Sequence, residues 1–427
     1  MKKILLLVEQ AFTIIALMLY SGGPLMVLVT GGYSQGDTVP KASDSSTMRL
    51  IFFLTYLVIF CLVLARWKKV IALLRQDRFI WPLVIITLAS ILWSYAPQTT
   101  MMRSIAITGT SLFGLYLASR YTIKEQLHLL GWMFGLSIAL SFLYALFLPQ
   151  YGLMGGTHAG TWRGMYVHKN ILGKVMVPSA TVFLLLMMSE RRYRWLLALG
   201  LSLSVALILL SSSQTALVNL ITILAVLGGC HIFRFSYNLM VPSILGILLV
   251  SSSVSLWLVS NAEPLLNLMG KDLTLTGRTE LWQFVVEMIA KQPWLGYGYH
   301  GFWKDWNSEG AYVWRAVGWE APHAHNGLLD LLLHLGLLGV LLFLLGFLAS
   351  VCRSLVSLRT SYTPEFYWPI LHLVYMVLAN VTENTMLRRN DLFWVLYVAV
   401  TLSTLITTSH RHKSIRLLAP SQGIGNR

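Results

Sequence analysis

The sequence predicts an all-α membrane protein with about twelve transmembrane helices and a large external loop between the ninth and tenth helices. Hydrophobic residues make up 56% of the 427 residues and charged residues only 11%, far below the roughly 25% that is typical of a soluble domain. Because an apolar run of about 20 residues spans a bilayer as a helix, we expect a single polytopic membrane domain over 1–427. The runs of spanning length lie at 4–30, 50–65, 79–95, 104–119, 127–148, 171–189, 195–211, 216–233, 239–260, 326–349, 366–386 and 392–408.

The distribution of basic residues predicts the orientation. With a cytoplasmic amino terminus, 19 of the 32 basic residues fall in cytoplasmic segments, and 8 fall in external segments other than the long loop. Lysine and arginine concentrate in cytoplasmic loops, so both termini are predicted to be cytoplasmic. The net charge of +15 then reflects loops that face an anionic leaflet. No nucleic-acid partner is expected, and membrane lipids are.

Two boundaries in the helical part depend on a few polar residues. The first run follows Lys2-Lys3 and includes Glu9 and Gln10; it is longer than the apolar core of a cleaved signal peptide, so it is predicted to remain as a helix. The runs 195–211 and 216–233 are separated only by Ser211-Ser-Ser-Gln214, which predicts a turn between two helices.

The two longest external segments are predicted at 149–170 and 261–325, and the second is expected to carry part of the active site. This loop holds six of the fifteen tryptophans, which favours a position on the membrane surface. Within it, Thr279–Ala290 has the apolar spacing of an amphipathic helix, and Pro293 is expected to end that helix.

A polar stripe opens the tenth predicted helix. Asn326, Asp330 and His334 are spaced at i, i+4 and i+8 in a leucine-rich segment, so they share one helix face. His323 and His325 lie just before it. Ionisable groups inside a membrane are costly and face other helices or a cavity, which predicts either helix packing or chemistry at this position.

Basic and polar residues converge on the predicted external face. Such a collection suits an anionic, phosphate-bearing substrate, because guanidinium groups match phosphate oxygens in a bidentate manner. A neutral imidazole there can accept a proton from a hydroxyl. The residues are Arg163, His168, Lys169, Asn170, Arg278, Glu280, His323, His325, Asn326, Glu383, Asn384, Arg388 and Arg389.

Four motifs in this part of the chain resemble the superfamily of O-antigen ligases and of O-antigen and exopolysaccharide polymerases. They are Arg163-Gly-Met-Tyr-Val-His168-Lys169-Asn-Ile-Leu-Gly173, Gly277-Arg278-Thr-Glu-Leu-Trp282, Pro293-Trp-Leu-Gly296-Tyr-Gly298, and His325-Asn326 followed by Gly336 and Gly339. The resemblance covers roughly 163–390. The chain departs from it at Ser212-Ser-Gln214, where many relatives have an arginine.

The resemblance implies a bacterial inner-membrane glycosyltransferase, inverting and metal-independent, with its active site facing the periplasm and no cofactor. Its partners would be an undecaprenyl-diphosphate-linked oligosaccharide and an acceptor glycan, with flippase and chain-length regulator proteins beside it. His325 is predicted to be the general base and Arg278 to hold the diphosphate. Arg163, His168, Lys169, His323, Asn326, Arg388 and Arg389 are predicted to bind the diphosphate or the glycan.

Several alternatives remain open at this point. A polymerase extends a second lipid-linked repeat unit, whereas an O-antigen ligase transfers the glycan to lipid A core, and the shared motifs do not separate them. We favour the polymerase because 277–339 resembles the exopolysaccharide members more closely. A flippase for lipid-linked oligosaccharides is the alternative of another class. His323 is the alternative base, and the His-x-His pair is a zinc alternative that lacks a third ligand nearby in sequence.

Overall fold

The regular secondary structure of the described residues is helical. The structure is a computed structural model that describes 2–29, 45–236, 238–240 and 278–418, and the side chains of Lys2, Thr157, Arg234, Arg278, Thr382 and 408–418 lie outside the description. Apart from one isolated bridge pair between Leu153 and Trp162, no β-pairing occurs in these ranges. The predicted all-α class is therefore confirmed for them.

The helices match most of the predicted apolar runs. The first eight are α1 (Lys2–Tyr20), α2 (Leu25–Val29), α3 (Ser46–Leu64), α4 (Trp67–Gln76), α5 (Ile80–Ala89), α6 (Pro97–Arg120), α7 (Ile123–Phe147) and α8 (Pro149–Gly152). The others are α9 (Lys169–Ser189), α10 (Arg194–Leu210), α11 (Gln214–Gly229), α12 (Arg278–Lys291), α13 (Gly310–Val317), α14 (Gly327–Thr360), α15 (Tyr367–Thr382) and α16 (Leu392–Leu418). In the bundle, α9 packs on α10 and α11, while α6 packs between α3 and α16.

Fewer helices than predicted have the length and hydropathy of a membrane span. Among the described residues six do: Lys3–Tyr20, Ser46–Leu64, Ile123–Phe147, Lys169–Ser189, Gln214–Phe233 and Gly327–Thr360. Three shorter apolar helices accompany them: Ile80–Leu92, Arg194–Leu210 and Leu392–Thr407. The predicted ninth span, 239–260, lies outside the described residues apart from its first two. The chain is thus a multi-pass membrane protein, and the count of twelve spans stays a prediction.

The predicted turn between the runs 195–211 and 216–233 is confirmed. Helix α10 ends at Leu210 and α11 begins at Gln214, with Ser212 in the left-handed region at φ 49°, so the polar break does make a turn. Glu9 is paired with Arg66 and with Arg120. These pairs bring the beginning of α1 and the ends of α3 and α6 to one side of the bundle, as the predicted alternation of helix directions requires.

Helix α14 is broken at Gly336, and the loop after α12 fills the break. Gly336 has φ 62° and ψ −161°, a conformation open essentially to glycine alone. The backbone N–H groups of Leu337 and Leu338 donate to the carbonyl oxygens of Pro293 and Trp294 at 2.8 and 3.2 Å. Helical bonds lost at the break are therefore replaced, and the break itself is occupied by protein backbone.

The described part of the predicted external loop, 278–325, has its own small hydrophobic core. The amphipathic helix is confirmed as α12, and Leu281, Val285 and Met288 are its buried face. Trp303 and Trp314 are buried in this core, whereas Trp294 is 71% exposed. Two of the six tryptophans thus serve packing, and the position of the loop on the membrane surface stays a prediction.

Candidate functional site

The two histidines of the predicted site form one compact unit with the start of α14. The backbone N–H of His325 donates to Nδ1 of His323 at 3.0 Å, and their ring centroids are 4.3 Å apart. Asn326 is the N-cap of α14, because its side-chain oxygen accepts from the N–H groups of Leu328 and Leu329. His325 has φ 52°, a conformation that is uncommon for residues other than glycine. The position of the His325 imidazole ring is therefore fixed by the backbone conformation as well as by the contacts of the ring.

Asp330 holds this unit in place from one turn below. It is 1% exposed, and its Oδ1 accepts from the backbone N–H of Ala324 and from Nε1 of Trp303, both at 3.0 Å. Its Oδ2 accepts from Nδ2 of Asn384 at 2.8 Å. Three donors to one buried carboxylate offset much of its desolvation cost. Asp330 thus joins the external loop, the histidine segment and the loop after α15.

The spacing Gly277-Arg278-x-x-x-Trp282 is explained in part by a contact to the same segment. Nε1 of Trp282 donates to the carbonyl oxygen of Ala324 at 2.8 Å, so Ala324 is held through both its N–H and its carbonyl. Residue 278 begins α12, one turn before Trp282. Positions i and i+4 share a helix face, which places position 278 near the histidine segment. The side chain of Arg278 lies outside the description.

The loop 383–391 carries the predicted Arg388 and Arg389 and is fixed at several points. Nη1 of Arg388 donates to the carbonyl oxygen of Asn384 at 3.0 Å, which links this arginine to Asp330 through one residue. Leu387 and Asn390, which flank the two arginines, have φ 50° and 55°. Non-glycine residues in this region carry strain that the surrounding contacts maintain, so the loop presents both arginines in a defined place.

The motif from Arg163 to Gly173 contributes less to the site than predicted. The Arg163 side chain is turned inward and is 1% exposed, and it donates to the carbonyl oxygens of Tyr151, Gln150 and Val167 at 3.0, 2.8 and 3.5 Å. Burial lowers the pKa of its guanidinium, a cost that these bonds offset. This geometry favours a bracing role for Arg163 within 149–170 over the predicted contact with phosphate.

His168 and Lys169 lie at the start of α9. Nδ1 of His168 accepts from the backbone N–H of Asn170 at 3.1 Å, so His168 caps the helix, and it is 7% exposed. Lys169 is half-buried and remains available to bind an anion. Of the predicted residues, the structure therefore brings His323, His325, Asn326 and Arg388 together through Asp330, and leaves Arg163 and His168 in local structural contacts.

A second histidine pair, which the sequence analysis did not single out, lies deeper along α14. The rings of His300 and His334 have centroids 4.4 Å apart, and Tyr299 contacts both rings. The pKa of His300 is well below its usual value, first because of burial and then because of nearby His334, Arg103, Arg389 and Arg388. The signal that was available is the position of His300 two residues after the end of the Pro-x-x-Gly-x-Gly motif.

A polar cleft between α9, α11 and α15 was also missed. Lys174 lies in it, with Nζ 5.4 Å from the centroid of the Phe393 ring. The cleft is lined by Asn170, Lys174, Ser213, Thr215, Ala216, Asn219, Ala379 and Glu383. A mixture of amide, hydroxyl, ammonium and carboxylate groups suits the hydroxyls of a sugar. Its lining includes Ser213, from the segment where the chain departs from its relatives.

The fold and the site together define a multi-pass helical membrane protein with basic residues grouped on the predicted external face. Two comparisons identify its relatives. The O-antigen ligase family model matches residues 199–344. The exopolysaccharide production protein ExoQ of Rhizobium meliloti (strain 1021) is 28% identical over 296 residues, which is 66% of this chain and 66% of that protein, just under two thirds of its length. These similarities support the resemblance of the motifs to the superfamily of O-antigen ligases and O-antigen and exopolysaccharide polymerases.

Proposed function

We propose that the chain is a polymerase of the exopolysaccharide and O-antigen type. It transfers a glycan from undecaprenyl diphosphate to a hydroxyl of a second lipid-linked repeat unit. The observation that carries the proposal is the double anchoring of Ala324, by Asp330 Oδ1 and Trp282 Nε1, which holds the His323–His325 segment beside Arg388 and the start of α12. A preorganised base next to cations is what transfer from a diphosphate donor requires.

In the proposed reaction, His325 accepts the proton of the acceptor hydroxyl while the hydroxyl oxygen attacks the anomeric carbon. The bond between that carbon and the diphosphate oxygen breaks, and the configuration inverts. Arg278 stabilises the departing diphosphate, supported by Lys169, with Arg388 and Arg389 as further cations at the outer edge. His323 positions His325, because Nδ1 of His323 accepts a hydrogen bond from the backbone N–H of His325. The reaction uses no metal and no cofactor.

The proposal includes a place for the reaction in the cell. The segment 278–325 carries the proposed active-site residues of the loop. It belongs to a single membrane domain that covers 1–427. We assign the chain to the bacterial inner membrane with this loop in the periplasm. Flippase and chain-length regulator proteins are its proposed partners, because lipid-linked repeat units are assembled on the opposite face.

A polymerase is favoured over a ligase by the printed name of the relative, an exopolysaccharide production protein, and by the motif block 277–339. The ligase remains the second candidate because the matching family model is described as O-antigen ligase. A flippase is disfavoured by the break in α14, which the backbone of Pro293 and Trp294 occupies. In transporters, unwound helix segments of this kind bind the cargo.

Gel analysis of surface polysaccharide from a deletion strain separates the two candidates. If the chain is a polymerase, long chains are lost while single repeat units are still transferred to their final acceptor. Complementation with the wild-type gene restores the long chains, and the His325→Ala variant does not. Long chains that remain intact on the carrier lipid would contradict the polymerase and establish the ligase.

A further inference from the structure

The polar cleft between α9, α11 and α15 is held in shape by the proline inside α9. Pro178 has no N–H, so it cannot donate to the carbonyl oxygen of Lys174 one turn earlier. The hydroxyl of Tyr375 in α15 donates to that oxygen instead, at 2.6 Å. On the side of α11, a Cβ at Gly173 would lie 2.8 Å from the Cβ of Ala216. The three helices are therefore held close together at Lys174, and the cleft beside them has a volume of about 390 Å³.

Two polar side chains that line this cleft form no hydrogen bond or ion pair with the described residues. Asn219 is only 7% exposed, and no residue in the described ranges bonds to its side-chain amide. Lys174 is half-buried, and the contact that its Nζ makes within these ranges is with the Phe393 ring. Buried polar groups are costly unless they are hydrogen-bonded. Both side chains therefore favour a ligand that supplies donors and acceptors.

The chemistry of the lining matches a sugar better than a phosphate. The amide of Asn219 donates and accepts, the ammonium of Lys174 donates, and the carboxylate of Glu383 accepts. Sugar hydroxyls also donate and accept, whereas a phosphate accepts only and is repelled by a carboxylate. Two carboxylates and one guanidinium act on the ammonium: Glu383, Asp391 and Arg388. Because negative groups balance the cations here, a neutral polyhydroxylated ligand is favoured.

The cleft adjoins the proposed transfer site. Asn384 directly follows Glu383 of the cleft lining, and its Nδ2 donates to Oδ2 of Asp330 at 2.8 Å. The other carboxylate oxygen of Asp330 accepts from the N–H of Ala324, the residue before His325. Two hydrogen bonds thus join the edge of the cleft to the segment of the proposed base. A sugar in the cleft therefore belongs to a glycan that reaches this base.

We propose that the cleft binds a sugar of the repeat unit, and that Asn219 and Lys174 select this sugar by hydrogen bonds to its hydroxyl groups. The inference rests on the proposed polymerase function and deepens it, because it assigns residues that recognise the glycan and not its carrier lipid. A site that hydrogen-bonds a hydroxyl rejects analogues that lack it, since its own polar groups are then left unpaired. The two residues thus determine which repeat unit is extended.

The test measures binding of the repeat-unit oligosaccharide, freed by mild acid from the lipid-linked units of a deletion strain, to the purified full-length protein in detergent. Asn219→Leu removes the amide at similar volume, and Lys174→Met removes the ammonium. Each is expected to raise the Kd of the oligosaccharide about tenfold, as for the loss of one buried hydrogen bond. The Kd of undecaprenyl diphosphate is expected to stay unchanged. Lys291→Met, at an exposed lysine on α12, is the control and binds both probes as wild-type protein does.

Three results would overturn the sugar site. They are no oligosaccharide binding by wild-type protein, an unchanged Kd in both variants, and weaker binding of undecaprenyl diphosphate in place of the oligosaccharide, which would make the cleft part of the diphosphate site. Thermal melting shows which variants are folded, and Asn219→Ser or Lys174→Gln replaces one that is not. Failure of the transferase proposal looks different. In that case wild-type protein elongates no lipid-linked glycan, while the variants still lose affinity for the oligosaccharide.

Discussion

At the scale of single residues, the contacts around its segment distinguish His325 from the other histidines. It directly follows Ala324, whose N–H and carbonyl both form hydrogen bonds to neighbouring elements, and it has a left-handed φ of 52°, a conformation that it shares with His300 at φ 55°. Strained conformations of this kind persist only where the surroundings maintain them, and they cluster at functional sites. His334, in contrast, is 4% exposed and packs on His300 and Tyr299, so it is shielded from the histidine segment.

The first prediction concerns His325 as the general base. His325→Ala is expected to bind the donor lipid as wild-type protein does and to lose about 10²- to 10⁴-fold in turnover, the usual contribution of such a base. Turnover and donor binding are measured on the purified variant after thermal melting shows that it is folded. His323→Ala is the matched comparison. Turnover within a few-fold of wild type for His325→Ala, with a collapse for His323→Ala, would move the role to His323.

The second prediction concerns Arg278 as the residue that holds the leaving diphosphate. Arg278→Ala is expected to lower turnover about 10²- to 10³-fold, the effect of removing one donor that stabilises developing negative charge. Arg278→Lys keeps the charge but loses the bidentate fork, so it stays mostly inactive. The comparison uses Lys291, the last residue of the same helix, whose change to Ala leaves turnover near normal. A near-normal Arg278→Ala enzyme would remove the proposed role.

At the scale of elements, the junction between α14 and the loop after α12 explains two of the sequence motifs. The backbone of Gly296 and the backbone of Gly336 approach so closely that a Cβ at position 296 would lie 2.9 Å from the Gly336 nitrogen. The Pro-x-x-Gly-x-Gly motif and the first glycine of Gly-x-x-Gly are therefore two halves of one structural joint. The joint places His300 against His334 and holds the loop core on α14.

The third prediction is that Gly336→Ala loosens this joint. A Cβ at position 336 would lie 2.3 Å from the carbonyl carbon of Trp294, and the φ of 62° alone costs an alanine about 1–3 kcal/mol. We expect a lower melting temperature and loss of activity. Gly135→Ala in α7 is the control, because nothing lies within 4 Å of its added Cβ. Equal melting temperatures for both variants would show that the joint tolerates a side chain.

Sequence patterns predicted the features that depend on neighbouring residues along the chain, such as the helices and their apolar faces. They missed the contacts that form at the joint between α14 and the loop after α12. The apolar spacing of Leu281, Val285 and Met288 is enough to predict α12, and the stripe Asn326, Asp330 and His334 was correctly expected to face protein. The uses of that stripe differ, however: Asn326 caps the helix, Asp330 accepts three bonds, and His334 packs on His300. These partners come from distant segments, which no local period reveals.

Arg163 is a second example of a role that the sequence pattern alone does not decide. Its position in a basic external segment is equally compatible with a ligand contact and with an internal brace. Only the fold of 149–170 decides, since it supplies the carbonyl oxygens of Gln150 and Tyr151 as partners.

At the scale of the whole molecule, the ends of the helices sort into two chemically different sides. Glu9, Arg66 and Arg120 meet on one side, and Glu190 pairs with Lys124 there as well, at 3.1 Å. The histidine segment, the arginine loop 383–391 and the start of α9 are grouped on the other. This separation agrees with a charged cytoplasmic side and a substrate-binding external side.

The fourth prediction is the orientation of the chain. Reporter fusions after Arg194 or Ser350 are expected to be active as cytoplasmic reporters, and fusions within 300–318 as external ones. The expectation follows from the excess of basic residues on the first side. Fusions with paired alkaline phosphatase and green fluorescent protein measure both states at each position. The opposite result at either position would overturn the orientation and the periplasmic placement of the site.

The most direct test of the central claim, that the chain forms glycosidic bonds between lipid-linked glycans, is turnover by the purified protein. Full-length protein in proteoliposomes is given lipid-linked repeat units extracted from the deletion strain, and mass spectrometry follows the products. We predict longer lipid-linked glycans, one undecaprenyl diphosphate released for each bond formed, and no such products with His325→Ala. Repeat units that stay covalently unchanged while crossing the bilayer would contradict the claim and identify a transporter.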